Sequence, residues 1–406
     1  MRLPNISLSS EQEAAVEMCV DKHVRLGSVT GGAGTGKTTI LRYAYDELRT
    51  ANKRVLLAAP TGRAAKRIQE ATGIEARTIH RLLEFPAPIE VSESGGKVKF
   101  GEPKRNRWNP LSCDVLFVDE ASMIGSKLYA QVLEALPTSA SLRFFGDVNQ
   151  LPPIEDDAPK KKSVFQRVLD EKPSVYLTYC FRSDDNLVES ANRILQGRIP
   201  IRGNKFEMVI TNDPVGALRE LAGSEFHTPY HQVLTPKRVH KTGAIHLSAL
   251  LRTKFNLRTD LPRIELARMS DEDDPITVIQ GDKVLWTKND YVLGIMNGEL
   301  ATVDYIDDGA INLVFDDNSS KLIPPSLKGP FDFFYDPRKQ IDLAYCMTTH
   351  KAQGSEFETV IYIMSRSQAW MLNRNNFYTG VTRAKKKVLV ISDRHALGYA
   401  MRRPRD

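Results

Sequence analysis

The sequence predicts an α/β protein of two parallel-sheet units, the first carrying a β-hairpin insert and the second interrupted by a small all-β insert. Three observations lead there. Through the first half, short apolar runs alternate with amphipathic stretches, the pattern of a parallel sheet flanked by helices. The same pattern returns towards the C-terminus. Between them, from roughly 259 to 338, short alternating runs are joined by turn signals, as in a small all-β domain.

In the first half, strands are expected at 24–29, 55–59, 115–118 and 142–145. Each ends at a polar or glycine-rich turn, where an open α/β sheet places its ligands. A helix is expected over 40–48. The segment 85–111 is rich in Pro, Gly, Ser and basic residues. Its Ser94-Gly95-Gly96 turn between the runs 89–91 and 98–100 predicts a projecting hairpin. The second unit begins near Val188 and includes a strand over 232–236. The all-β insert is expected to use 283–287, 300–305 and 311–315, with Asn297-Gly298 suiting a two-residue hairpin turn. The runs 341–347, 359–364 and 388–391 then resume the buried strands of the second unit.

Composition narrows the function classes. Of 406 residues, 41% are hydrophobic and 26% charged, which excludes a disordered or collagen-like chain. No apolar run approaches the roughly 18 residues a membrane span needs, and the start lacks the apolar core of a signal peptide. No membrane partner and a cytoplasmic location are therefore expected. Cys19, Cys113, Cys180 and Cys346 are scattered, which argues against a zinc site or a disulfide framework and for reduced thiols. The net charge of +6 only weakly favours a polyanionic partner. The basic clusters at 160–162, 385–387 and 402–405 read equally as solvated faces or binding patches.

The motifs carry the chemistry. Gly31-Gly32-Ala33-Gly34-Thr35-Gly36-Lys37-Thr38, followed by Thr39, fits GxxxxGK[ST] between a strand and a helix. Its glycines let backbone N–H groups curl around phosphates, Lys37 reaches the terminal phosphates, and Thr38 ligates Mg²⁺. An apolar strand ending in Asp119-Glu120 follows; Asp119 would hold the magnesium through water and Glu120 would polarise the attacking water. Gln150, in Gly146-Asp-Val-Asn-Gln150 after the next strand, is placed to sense the terminal phosphate. Arg182 and Arg383 are candidates for neutralising transition-state charge, either being equally readable as a surface ion pair. ATP hydrolysis is the expected chemistry.

Together these segments resemble the superfamily 1B DNA helicases of the Dda and RecD-like group, with matches spread from Gln12 to Arg383. The resemblance implies two RecA-like domains. The first spans 1–187 with a hairpin insert over 84–111, and the second spans 188–258 and 341–406 around an SH3-like insert over 259–340. Gln12 takes the place of the adenine-reading glutamine, Phe181 that of the ring stacking on adenine, and Arg182 that of a γ-phosphate contact. Ser183 follows Arg182 where RecD-like proteins often have glutamine.

Ala59-Pro60-Thr61-Gly62-Arg63 and Thr78-Ile79-His80 resemble DNA-contacting segments, as do Thr348 and His350 in Thr348-Thr-His-Lys-Ala-Gln-Gly-Ser-Glu356. Gly354 and Glu356 of that segment would face the nucleotide, and Arg383 in Tyr378-Thr-Gly-Val-Thr-Arg383 would be the arginine finger. The hairpin stands where the family carries its strand-separating pin, with Trp108 or an aromatic near Phe85 or Phe100 at the junction. With about 30 residues before the phosphate loop, a compact enzyme is implied. The expected partners are single-stranded DNA and ss/dsDNA junctions, with replication or recombination proteins beside them. A monomer in a bacterial or phage-infected cell, moving 5′ to 3′, completes the expectation. A protein-displacing translocase and an ATPase subunit of a larger recombination complex stand as alternatives.

Overall fold

The structure is a computed structural model that describes residues 7–86, 101–153, 162–181, 186–224, 231–256, 260–267, 275–290, 292–329 and 334–403. The chain divides into two units, one of residues 1–86 and 101–188 and one of residues 189–405.

The first unit opens with α1 (Ser10–Val20) and is built on a six-stranded sheet. Its strands are β1 (Leu26–Gly31), β2 (Val55–Ala59), β3 (Ala76–Thr78), β4 (Val115–Val118), β5 (Ser141–Gly146) and β6 (Ser174–Leu177). They run parallel in the order β3-β2-β4-β5-β1-β6. The helices are α2 (Lys37–Thr50), α3 (Gly62–Thr72), α4 (Ile79–Leu82), α5 (Ser126–Ala135) and α6 (Val164–Glu171). Both faces of the sheet are covered, so its central strands read as continuous apolar runs rather than alternating ones. Leu116, Val118, Leu142 and Phe144 pack on one face. Val115, Phe117 and Phe145 pack on the other, with the Phe117 and Phe145 rings edge to face at 5.5 Å. This order sets the carboxyl ends of β4, β5 and β1 side by side, and that edge carries the motifs.

The second unit begins within α7 (Asn186–Leu195) and holds a five-stranded parallel sheet in the order β18-β8-β19-β20-β7. These strands are β7 (Phe206–Ile210), β8 (His231–Thr235), β18 (Cys346–Thr348), β19 (Phe357–Met364) and β20 (Ala384–Ser392). Helices α8 (Pro214–Ser224), α9 (Ala244–Phe255), α10 (Arg374–Val381) and α11 (Arg394–Arg402) belong to it. Between α9 and β18 lies the all-β insert. There β9 (Arg263–Leu266) pairs with β10 (Ile276–Ile279), and β15 (Leu327–Lys328) with β16 (Phe334–Tyr335). Its five-stranded antiparallel sheet has the order β14-β13-β12-β11-β17. The members are β11 (Lys283–Trp286), β12 (Leu300–Asp307), β13 (Ala310–Phe315), β14 (Ser320–Ile323) and β17 (Ile341–Leu343), closed over a core of Trp286, Val303, Ile311 and Leu313.

Three sequence expectations are corrected. The run 341–347 is two strands in two sheets. Ile341–Leu343 pairs with β11 of the insert, whereas Cys346–Thr348 pairs with β8, so the insert's sheet reaches past residue 340. The buried Gln232 side chain fixes the crossing by donating to the carbonyls of Ala344 (3.0 Å) and Tyr345 (3.4 Å). Asn297-Gly298 does not form a two-residue hairpin. Gly298 adopts φ +92°, but it ends a longer excursion in which Asp290 and Ile295 pair with each other. Finally, β6 and β7, absent from the expected strands, are edge strands in which buried Leu177, Phe206 and Met208 are set among exposed or half-buried residues, and so they lack a long apolar run. The hairpin runs 89–91 and 98–100 lie outside the described residues. Among the described residues, no helix is long and apolar enough to cross a membrane.

Candidate functional site

At the end of β1, Gly34 and Gly36 take left-handed backbone (φ +79° and +86°), which lets the loop curl into the first turn of α2. Lys37 folds back over it, its Nζ donating to the carbonyls of Gly31 (2.7 Å) and Gly32 (2.9 Å). Thr35 Oγ1 donates to Gly32 O at 2.9 Å. Ala33, Thr38 and Thr39 are half-buried in or beside this loop.

Helix α1 braces the loop. Ser9 and Gln12 close a reciprocal capping box at its start, and Gln12 Nε2 donates to Thr35 O at 3.2 Å. Gln12 is buried, and a Cβ on Gly36 would stand 2.3 Å from its amide nitrogen, so this approach requires glycine. The neighbouring Glu11, which the sequence reading passed over, accepts hydrogen bonds from the N–H of Thr178 (2.8 Å), the Thr178 hydroxyl and the N–H of Tyr179 (3.4 Å). The Thr178 bonds hold its carboxyl below the usual carboxylate range. Two residues on, Phe181 N donates to Gly34 O at 2.9 Å, and Cys180 Sγ lies 3.3 Å from Ala33 O. The Phe181 ring is 46% exposed and meets Tyr179 edge to face at 4.8 Å, leaving a flat apolar surface beside the loop. Arg182 and Ser183 lie outside the described residues.

The acidic pair stands at the end of β4. Asp119 N donates to Ala58 O, and Glu120 N closes on Asp119 Oδ1 at 2.8 Å. Glu120 itself is left-handed (φ +52°). Burial, then the Glu120 charge, push the Asp119 carboxyl up to about 6 against the pull of Lys37 and Arg67. Arg67 of α3, 3.9 Å from Glu120, was also missed. It lies four residues after Arg63, on the same helical face, but that spacing carries no signal of a partner as distant in sequence as Glu120. After β5, the buried Gln150 donates its N–H to Asp147 O, and its side-chain Oε1 has no hydrogen-bond partner among the described residues. Thr30 of β1 ties this loop down by accepting from Val148 N at 3.3 Å.

A divalent cation fits this edge. Two packed carboxylates, one destabilised in its charged form, sit with the Thr38 hydroxyl beside the phosphate loop. That donor set, all oxygen, is the hard chemistry of Mg²⁺.

The remaining expected residues fall in two further places. In the first unit, Pro60 follows β2, and Thr61 caps α3 by accepting from Ala64 N at 3.2 Å, with Arg63 half-buried behind it. Thr78 caps α4 in the same way, and the His80 ring meets Phe85 at 4.9 Å in a tilted arrangement, burial lowering its imidazole pKa. Trp108 is 83% exposed, with the Arg107 guanidinium 5.0 Å over its ring.

In the second unit, Thr348 ends β18 and its hydroxyl accepts from Lys351 N at 3.2 Å. His350 is half-buried, which lowers its imidazole pKa. Gly354 is left-handed (φ +73°), and Glu356 is 3.8 Å from Lys385. Arg383 is buried, its guanidinium bonded to the carbonyls of Thr379 (3.1 Å) and Ser355 (3.4 Å). Within the first unit the structure thus gathers Gln12, the phosphate loop, Phe181, Asp119 and Glu120; Arg383, Gly354 and Glu356 belong to the second.

Comparison with known proteins agrees with this geometry. Residues 7–217, more than half the chain, match the family described as the AAA domain, and residues 343–391 match the UvrD-like helicase C-terminal domain. The chain is 33% identical over 402 residues to the ATP-dependent RecD2 DNA helicase of Deinococcus radiodurans, an alignment covering 98% of this chain and 51% of that protein. It is 27% identical to the RecBCD enzyme subunit RecD of Mycolicibacterium smegmatis, over 94% of this chain and 70% of the relative. The chain therefore spans about half the length of the Deinococcus protein. In fold it is similar to the Bacteroides Pif1 helicase solved with ADP-AlF3 and ssDNA (TM-score 0.61, 19% identity, 95% and 92% of the two chains). It is likewise similar to Candida albicans Pif1 (TM-score 0.57, 18% identity, 97% and 99%). On these matches the chain belongs to the family described as the AAA domain.

Proposed function

We propose that this chain is an ATP-dependent DNA helicase that moves 5′ to 3′ on single-stranded DNA and unwinds duplex at ss/dsDNA junctions. The observation that carries the reading is the shared sheet edge, where the phosphate loop, the Asp119-Glu120 pair and Gln150 end the neighbouring strands β1, β4 and β5. The similar Deinococcus protein, a DNA helicase, and the Bacteroides helicase with bound ssDNA support the substrate.

Lys37 exchanges its two loop carbonyls for the β- and γ-phosphates, while the N–H groups of Gly32 to Thr39 cradle them. Gln12 and Phe181 hold the adenine, one by its amide and one by its ring face. Thr38 and Asp119 would hold Mg²⁺, which would neutralise phosphate charge. Glu120 orients the attacking water, and the unpartnered Gln150 Oε1 accepts a hydrogen bond there. Arg182 and Arg383 stabilise the charge that develops on the γ-phosphate, Arg383 giving up its Thr379 and Ser355 carbonyls to do so. Gly354 and Glu356 respond to nucleotide. Pro60, Thr61, Arg63, Thr78, His80, Thr348 and His350 grip the strand. The protein acts as a monomer alongside replication or recombination proteins.

The test is ATP-dependent strand separation on partial duplexes with a 5′ or a 3′ tail, with Lys37→Ala as control. Unwinding of the 5′-tailed substrate alone, lost in Lys37→Ala, is expected. DNA-stimulated ATPase without unwinding would replace the helicase by a translocase, and absence of DNA stimulation would overturn the assignment.

A further inference from the structure

The carboxyl edge of the second unit's parallel sheet carries a feature that the roles above leave unused. Strands β18, β8 and β19 are neighbours, and the chain leaves all three at that edge: at Thr348, at Thr235 and at Met364. In an open α/β sheet this is the edge where ligands bind. The loop after β8 reads Pro236-Lys-Arg-Val-His-Lys-Thr242, three of its seven residues cationic. The turn after β19 ends in Trp370, which is 65% exposed, an unusual place for the side chain with the largest apolar surface. Lys237 Nζ stands 5.1 Å from the centre of the Trp370 ring. On the other side of the same loop, Arg238 lines a groove with Thr348, Lys351, Leu285 and Asp342, and Asp342 holds Lys351 at 3.4 Å.

These loops are locked together from beneath. Gln368 Nε2 donates to Thr235 Oγ1 (2.7 Å) and to Thr242 O (2.9 Å). The Thr242 hydroxyl lies 3.1 Å from the hydroxyls of Ser365 and Ser367. Thr349 N donates to Thr235 O at 3.0 Å, so the third loop joins the same network. Such a buried polar network, with its members satisfied, rigidifies the surface above it. An aromatic plate held beside cations on a rigid edge is the chemistry of single-stranded nucleic acid binding: bases stack on the ring and phosphates pair with the cations.

We propose that Trp370, Lys237 and Arg238 form a single-strand-binding ledge, Trp370 stacking one base and the two cations taking flanking phosphates. The ledge rests on the reading of the chain as a DNA motor and adds residues that the motif segments do not contain. The Thr348 hydroxyl, which accepts from Lys351 N, is left able to donate to the same backbone.

The experiment is titration of the whole chain with fluorescein-labelled oligo(dT) over a salt series. Trp370→Ala is expected to weaken binding at least fivefold at every salt concentration, leaving the salt slope unchanged, whereas Trp370→Phe retains most of the affinity. Lys237→Ala and Arg238→Ala each reduce the slope of log K against log salt by about 0.7, the value for one phosphate contact on a single strand. Tyr399→Ala, an exposed aromatic on α11, binds as the unmodified chain does. If the chain binds oligo(dT) but Trp370→Ala binds equally well, the ledge is wrong and the motor reading stands. If the unmodified chain does not bind oligo(dT), or binds duplex better, both fail.

Discussion

Replacing Gly36 with alanine tests how the phosphate loop is braced. Gly36 sits at φ +86°, where an L-residue costs about 1–2 kcal/mol. The added methyl would also stand 2.3 Å from Gln12 Nε2. The amide must move, and its 3.2 Å bond to Thr35 O is lost, worth about 1 kcal/mol. The sum, about 2–3 kcal/mol, falls on the conformation that binds nucleotide, so ATP affinity should drop roughly 30- to 150-fold. Calorimetric titration with a non-hydrolysable ATP analogue measures it. The double substitution Gly36→Ala/Gln12→Ala removes the obstacle but not the backbone strain, so the two changes should couple by about 1 kcal/mol. An affinity within threefold of the unmodified chain for Gly36→Ala, or strict additivity in the cycle, would refute the reasoning that Gln12 holds the loop.

Three other expectations follow from the packing. Glu11→Ala frees Thr178 and Tyr179, so the KM for ATP should rise more than kcat falls, with Glu11→Gln intermediate. Because these bonds lower the Glu11 pKa, the contribution is present above the unfolded carboxylate value and lost as pH falls through the folded one; the gap between Glu11→Ala and the unmodified chain should close in acid. Gly380→Ala drives a methyl to within 2.2 Å of the buried Tyr362 ring, an overpacking of about 1–3 kcal/mol. At about 2–4 °C per kcal/mol, calorimetry should show the second unit melting several degrees lower. Asp282 is fully buried between α9 and the insert, accepting from Asn256, Tyr345 and Ile279 N, and burial raises its pKa. Here the sign reverses: stability should fall as pH rises from the unfolded carboxylate value through the raised folded one, and Asp282→Asn should abolish that part of the profile in urea melts.

The site was legible where chemistry fixes both residue type and spacing. GxxxxGK[ST] between a strand and a helix, and a strand ending in Asp119-Glu120, admit few alternatives, because a phosphate needs close backbone approach and a cation needs carboxylates. Glu11, Arg67, Thr30 and Trp370 were not legible. Each acts through a partner distant in sequence: Glu11 through Thr178, Thr30 through Val148, Arg67 through Glu120, and Trp370 through Lys237. No local pattern encodes such a meeting.

The fold divides in the same way. Strands β4 and β5, buried on both faces, declare themselves as apolar runs, and the sequence alone determined that this is an α/β chain with a nucleotide loop and an all-β insert. Only the tertiary structure decided that 341–347 serves two sheets, because the switch occurs at Ala344-Tyr345, whose carbonyls are taken by Gln232 more than a hundred residues earlier. It decided as well that Arg383 rests buried against Thr379 and Ser355, and that the loops after β8, β18 and β19 share one edge. Local periodicity reports which residues leave water. Which of them then meet is set by strand order, and strand order is a long-range choice made by packing.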